Sequence, residues 1–133
     1  MNTILVCDDE ADIVSALKIY LTAEGYRVLT AGNGRQALEI LDRERVDLVL
    51  MDIMMPEMDG LSAVAKLREQ SNIPVLFLTA KSEDTDMILG LNIGGDDYIT
   101  KPFNPVELIA RVEENGGHLD AVAIHVAADS RGG

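Results

Sequence analysis

Leu48-Val49-Leu50-Met51-Asp52 is an unbroken apolar run closed by a single carboxylate. So short and so apolar a run reads as a strand buried on both faces, as in parallel sheets covered by helices. Three other segments repeat the form. Ile4-Leu5-Val6-Cys7 ends in Asp8-Asp9, Val75-Leu76-Phe77-Leu78 ends in Thr79, and Tyr98-Ile99-Thr100 ends in Lys101. In an open parallel sheet all four ends lie along one edge, where such folds place their ligands. Three carboxylates, a hydroxyl and an ammonium then converge on one small space.

Working outward, β-branched runs alternate with segments of helical period. Strands are expected over Thr3–Cys7, Arg27–Ala31, Val46–Met51, Pro74–Thr79 and Asp97–Thr100. Ile13, Leu17, Tyr20 and Leu21 recur at helical spacing up to a stop at Gly25. Further helices are expected over Gly34–Glu44, Leu61–Glu69 and Glu83–Ile93, and a last one opens at Pro105, where proline suits the first turn. Five βα units with right-handed crossovers make a doubly wound, three-layer α/β sandwich. The expected strand order is 2-1-3-4-5, with the switch point between the strands that end in Asp8-Asp9 and in Asp52.

Composition narrows the function. A chain of 133 residues is the size of one domain with a real core. Eleven basic against twenty-three acidic side chains leave a net charge of −12, which argues against direct nucleic-acid binding. No apolar stretch approaches the ~20 residues of a transmembrane helix, and no basic-then-apolar leader opens the chain. Cys7 is the only cysteine, so no intrachain disulfide forms, and a cytoplasmic location is expected. Inside its apolar strand it reads as core.

Clustered carboxylates repel one another and raise each other's pKa; a cation removes that cost. Hard oxygen ligands without His or Cys select Mg²⁺ or Mn²⁺. Mg²⁺ characteristically completes its octahedron with water and substrate phosphate oxygens. Phosphoryl transfer asks the protein mainly for positioning and charge neutralisation. Asp52 suits the nucleophile, Lys101 a phosphoryl oxygen and the Thr79 hydroxyl another. Taken singly, each residue has a blander reading: Asp9 or Asp12 as a helix cap, Asp52 as a turn residue, Lys101 as a solvated loop lysine. Their coincidence at one edge outweighs these. Lys101-Pro102 is also a candidate cis bond.

With these pieces in order, the chain resembles the receiver domain of bacterial two-component response regulators, of the branch with winged-helix DNA-binding output domains. The resemblance rests on Val6-Cys7-Asp8-Asp9-Glu10, on Leu50-Met51-Asp52 through Asp59-Gly60, on Leu78-Thr79-Ala80, and on Gly95 through Phe103. It implies a flavodoxin-like receiver fold and a phosphorelay, in which a sensor histidine kinase donates a phosphoryl group to Asp52. It further implies that Asp9, Asp52 and the Met54 carbonyl hold Mg²⁺, with Asp8 acting through water. Thr79 and Lys101 contact the phosphoryl group, and Thr79 and Tyr98 act as the switch. The reporting face joins helix four, strand five and helix five; through it such chains form a homodimer, with Asp97, Glu107 and Arg111 in charged pairs. DNA is reached only through an output domain, no membrane is involved, and the chain catalyses only its own phosphorylation and dephosphorylation.

The pattern departs at that face: Met87 stands where a basic residue is usual, Glu113 likewise, and Asn92 replaces an acid. The receiver is expected over residues 1–114. Residues 115–133, opening at Asn115-Gly116-Gly117, form an atypical tail, read first as an appended or frameshifted end and next as a disordered or swapped segment. His118 and His125, seven apart in it, are weak evidence of a metal site. Without the resemblance Tyr98 reads as strand core, and Met51, Met54, Met55 and Met58 as gap-filling or loop residues, not a metal-thioether site. Two rival readings share the chemistry or the fold. A haloacid-dehalogenase-type phosphotransferase needs an Asp-x-Asp after strand one, where this chain has Asp8-Asp9-Glu10. A nucleotide binder needs a Gly-rich loop there, which is absent. An interaction-only receiver is a third, opposed by Asp9, Asp52, Thr79 and Lys101.

Overall fold

The computed structural model describes residues 2–55, 57–80, 94 and 96–115. The five strands are β1 (Thr3–Cys7), β2 (Arg27–Ala31), β3 (Leu48–Asp52), β4 (Val75–Ala80) and β5 (Asp97–Lys101). They form one sheet in the order β2-β1-β3-β4-β5, every pairing parallel. Helices α1 (Ala11–Ala23), α2 (Gly34–Arg43), α3 (Gly60–Leu67) and a last helix over Pro105–Asn115 cover its faces.

Period-2 alternation along the strands builds two separate cores. Leu5, Val49, Met51, Val75 and Phe77 point to one face and pack with Ala37 of α2 and Ala63, Val64 and Leu67 of α3. Ile4, Val6, Leu48, Leu50, Leu76, Leu78 and Ile99 point to the other, against Leu17 and Leu21 of α1 and Leu108 and Val112 of the last helix. All five residues of β1 and of β3 are buried, as the apolar runs demand, whereas edge strand β2 is largely open.

Local chemistry sets the element ends. Asn33 caps α2 by accepting from the Gln36 N–H at 2.9 Å, and Asp59 caps α3 by accepting from the Ser62 N–H at 2.7 Å. α1 stops where Gly25 takes φ +91°; its N–H bonds the Thr22 carbonyl at 3.0 Å, and the Tyr26 N–H returns to Leu21 at 3.1 Å. β3 starts two residues later than its hydropathy suggests. Asp47 is held at the sheet margin, where its carboxylate accepts the Thr3 N–H at 2.8 Å. The expected helix over Glu83–Ile93 and residues 116–133 of the tail lie outside the described residues, while Asn115 ends the last helix.

Candidate functional site

The register brings the polar strand ends together as the order requires. Asp52 lies opposite Leu78, Thr79 opposite Thr100, and Ala80 opposite Lys101. Asp8 follows the last residue of β1, and its N–H bonds the Ala31 carbonyl at 3.1 Å. Asp8, Asp52 and Thr79 are buried polar residues in a mostly apolar interior, with 2%, 6% and 1% of their surface exposed. The Lys101–Pro102 bond is cis.

Lys101 is the hub. Its Nζ lies 2.8 Å from Asp8 Oδ2, 3.4 Å from Glu10 Oε1 and 3.5 Å from Asp52 Oδ1. One ammonium therefore serves three carboxylates. Burial drives Asp52 up to about 7, and the Asp8 charge adds to the rise; Lys101, the Met54 backbone N–H bond and the more distant Asp9 charge act more weakly, the first two downward. Burial pulls the Lys101 ammonium down, but its hydrogen bond to Asp8 and the charges of Asp52, Asp8 and Glu10 outweigh this and raise it. The loop after Asp52 is pinned on both sides: the Ile53 N–H bonds Leu78, the Gly60 N–H returns to Ile53, and the Met58 carbonyl accepts from Gly34. A Cβ on Gly60 would run into the Asp52 carbonyl oxygen, so only glycine lets the chain pass there.

A divalent cation suits this donor set. Asp8, Glu10 and Asp52 each bring a carboxylate oxygen within 4.8 Å of the others. Asp8 Oδ2 is shielded from solvent and lies 2.8 Å from the Lys101 ammonium. Four acids, counting Asp9, against one lysine leave an excess of negative charge in a partly buried space.

Of the residues expected from sequence, Asp8, Asp52 and Lys101 are in mutual contact, and Thr79 is buried at the adjoining strand end. Asp9 is exposed and is not among the three acids whose carboxylate oxygens converge, although its charge raises Asp52 weakly. Met54 is 59% exposed, and its backbone bonds the Asp52 carboxylate. Tyr98 is half-buried on β5, with the Arg111 guanidinium 5.9 Å from its ring centre. Asp97, Glu107 and Arg111 pair within the chain: Arg111 Nη1 meets both Asp97 oxygens at 2.9 Å, and its Nε meets Glu107 at 3.3 Å. Cys7 is fully buried, as expected, and burial first, then Asp8, Asp52 and Asp9, push its thiol up to about 12. Met51 is buried and Met55 and Met58 pack against the same core, so the gap-filling reading holds for these three. Met87, Asn92, His118 and His125 lie outside the described residues.

Glu10 escapes a reading of the sequence. It occupies the cap position of α1 expected for Asp9 or Asp12, and it makes no side-chain cap bond. The signal is present in the third acid of Asp8-Asp9-Glu10, but a glutamate before a helix reads as ordinary dipole chemistry.

Comparison with known proteins agrees with this geometry. The family described as the response regulator receiver domain matches residues 4–113. The response regulator GtcR of Aneurinibacillus migulanus is 46% identical over 112 residues, 84% of this chain and 46% of that protein. The transcriptional regulatory protein CpxR of Escherichia coli (strain K12) is 46% identical over 112 residues, 84% of this chain and 48% of that one. The probable transcriptional regulator ycf27 of Porphyra purpurea is 44% identical over 129 residues, 97% of this chain and 53% of its own length. The chain thus spans about half the length of these curated relatives. Among solved structures, the receiver domain of the TMAO respiratory system response regulator TorR superposes with a TM-score of 0.81 at 38% identity, covering 86% of this chain and 95% of that one. The receiver domain of Francisella response regulator 1452 gives 0.79 at 38% identity, over 85% and 94%. With the sheet order, the ring of acids around Lys101 and these relatives in agreement, the chain belongs to the response regulator receiver domain family.

Proposed function

We propose that this chain is a phosphorelay receiver that takes a phosphoryl group from a sensor histidine kinase onto Asp52. The observation that carries the reading is Lys101 Nζ held between Asp8 and Asp52 at 2.8 and 3.5 Å, at the edge where the sheet order reverses. A carboxylate oxygen of Asp52 attacks phosphorus as the P–N bond of the donor breaks, and the electron pair of that bond stays on the imidazole. Lys101 neutralises a phosphoryl oxygen, and the Thr79 hydroxyl hydrogen-bonds another. Asp9, Asp52 and the Met54 carbonyl would hold Mg²⁺, or Mn²⁺, with Asp8 acting through water. The cation supplies charge neutralisation to the carboxylates and to the incoming phosphoryl oxygens.

Thr79 and Tyr98 then form the switch, a two-state element biased by a local charge. The readout passes through β5, the last helix and the segment before β5, by homodimer formation or another contact, to a DNA-binding output domain of the kind implied by transcriptional relatives. The receiver unit is residues 1–114, followed by the distinct tail 115–133, and its setting is the cytoplasm. Among the described residues, no helix is long and apolar enough to cross a membrane. The chain acts only on its own phosphorylation state. Neither a haloacid-dehalogenase-type phosphotransferase nor an interaction-only module is favoured, since the family match covers residues 4–113 and Lys101 lies against both Asp8 and Asp52.

Acetyl phosphate with Mg²⁺ is expected to add one phosphoryl group, read by intact mass and absent in Asp52→Asn. Labelling that survives Asp52→Asn, or that ignores EDTA, overturns the reading.

A further inference from the structure

We propose that Glu10 is a positioning residue for Lys101, holding its ammonium at the solvent side of the pocket and keeping it aligned while the other carboxylates are engaged. The proposal rests on the reading of Asp52 as phosphoacceptor.

Four observations converge on Glu10. It stands at the α1 cap in extended backbone, φ −90° and ψ 112°, and makes none of the cap bonds that the shorter Ser, Thr, Asp or Asn side chains make there, so its carboxylate is not engaged by the helix N–H groups. Its carboxylate instead crosses to Lys101, 91 residues away in sequence, at 3.4 Å. Its backbone is anchored to the same pocket, because the Glu10 N–H donates to Asp8 Oδ1 at 2.9 Å. Finally, its side chain is 61% exposed, whereas those of Asp8 and Asp52 are 0% and 8% exposed. Glu10 is thus the outer partner of a cation whose two other partners face inward.

The consequence follows from charge. A divalent cation on the inner carboxylates repels the Lys101 ammonium from them, and a phosphoryl group on Asp52 draws that ammonium to its own oxygens. Both require Lys101 to loosen its 2.8 Å contact with Asp8 without wandering into solvent. A lysine side chain is flexible, and a second fixed anion limits its excursions. Glu10 is placed to do this, and its reach matters as well as its charge.

The test compares Glu10→Gln, Glu10→Asp and Glu10→Ala. At saturating Mg²⁺, the maximal rate of Asp52 labelling by acetyl phosphate is expected to fall about 5–10-fold in Glu10→Ala and Glu10→Asp, with the acetyl phosphate KM changed less than about 2-fold, the size expected for lost orientation. Glu10→Gln, which keeps the reach and a hydrogen-bond acceptor, recovers part of the rate. In the metal-free protein the Lys101 ¹³Cε and ¹⁵Nζ resonances are expected to shift in Glu10→Ala and Glu10→Asp. If Glu10→Asp matches the wild type in rate and resonance, Glu10 acts only as a distant charge and the proposal is overturned. Unmoved Lys101 resonances in Glu10→Ala overturn it also. Failure of the wild type to label at Asp52 instead defeats the phosphoacceptor reading, while the resonances still report on the Glu10–Lys101 contact.

Discussion

Lys101 and Arg68 each put a mostly buried cation at one end of the sheet, their side chains 16% and 18% exposed, and they are satisfied in opposite ways. Arg68, just past α3, sits below the starts of β4 and β5. Its Nε donates to the Gly94 carbonyl at 2.8 Å, its Nη1 to Ile73 at 2.7 Å and to Ser71 at 3.3 Å, and its Nη2 to Asp96 at 3.0 Å. Asp96 passes the connection on by accepting the Val75 N–H at 2.7 Å. Donors and acceptors match, and one positive charge meets one negative. Lys101 faces three carboxylates with one charge, and Asp52, raised first by burial and then by the Asp8 charge, stands at about 7 despite that ammonium. A balanced cation ties the fold together, whereas an outnumbered one marks where something else is meant to bind.

That contrast can be broken most sharply from the balanced end. Arg68→Ala strands the Ile73 and Gly94 carbonyls and leaves Asp96 without its cation, and is expected to cost about 3 kcal/mol in denaturant unfolding. Acetyl phosphate labelling of the folded fraction should persist. A loss below about 1 kcal/mol would show that the Arg68 bonds are replaced by water.

Next in size is the metal. At 100 times its Kd, Mg²⁺ is expected to stabilise the wild type by about 2.7 kcal/mol through linkage. Lys101→Met leaves the acids to repel one another, so the metal-free variant is weakened by about 1–2 kcal/mol, and Mg²⁺ recovers most of that. Arg68→Ala, whose pocket is intact, gains only the wild-type shift, so its deficit against the wild type is the same with and without Mg²⁺. Equal thermal shifts with Mg²⁺ in both variants, measured calorimetrically, would dissolve the distinction.

The smallest effect is a pH slope. Asp52 stands at about 7 in the folded chain against an ordinary value of 3.8, so between these the folded protein keeps a proton that the unfolded chain has released. Metal-free stability from this group is therefore highest below about pH 4, falls as pH rises to about 7 and is level beyond. Asp52→Asn removes the slope, which is at most about 1.4 kcal/mol per pH unit, and is more stable than the wild type at pH 8 without metal. Parallel pH curves for the two proteins would mean that Asp52 is ionised throughout.

The same two ends mark what can be read from the sequence. Strands β1 and β3 are legible because burial on both faces leaves no room for polar residues, and the sheet order follows from crossover handedness. Asp8, Asp52, Thr79 and Lys101 are legible as interruptions of that apolar habit. Glu10 is not, because its role depends on a contact across 91 residues and on a cap bond it declines to make. Arg68 is invisible for the same reason: an arginine near a helix end resembles any solvated side chain until the Gly94 and Ile73 carbonyls are seen to converge on it. The Asp97–Arg111–Glu107 cluster is expected as a surface between copies; within one chain its charges already pair with one another.

Cys7 carries a practical consequence beyond its place in the core. It is the single thiol of the chain, wholly enclosed on β1 one residue before Asp8, with its Sγ 3.2 Å from the Asn33 carbonyl and 3.5 Å from the Met55 sulfur. With the thiol at about 12, only roughly one molecule in ten thousand carries a thiolate at pH 8. An alkylating reagent therefore reacts only when the centre of the sheet opens. The protein carries its own clock for sheet opening, set one residue before Asp8.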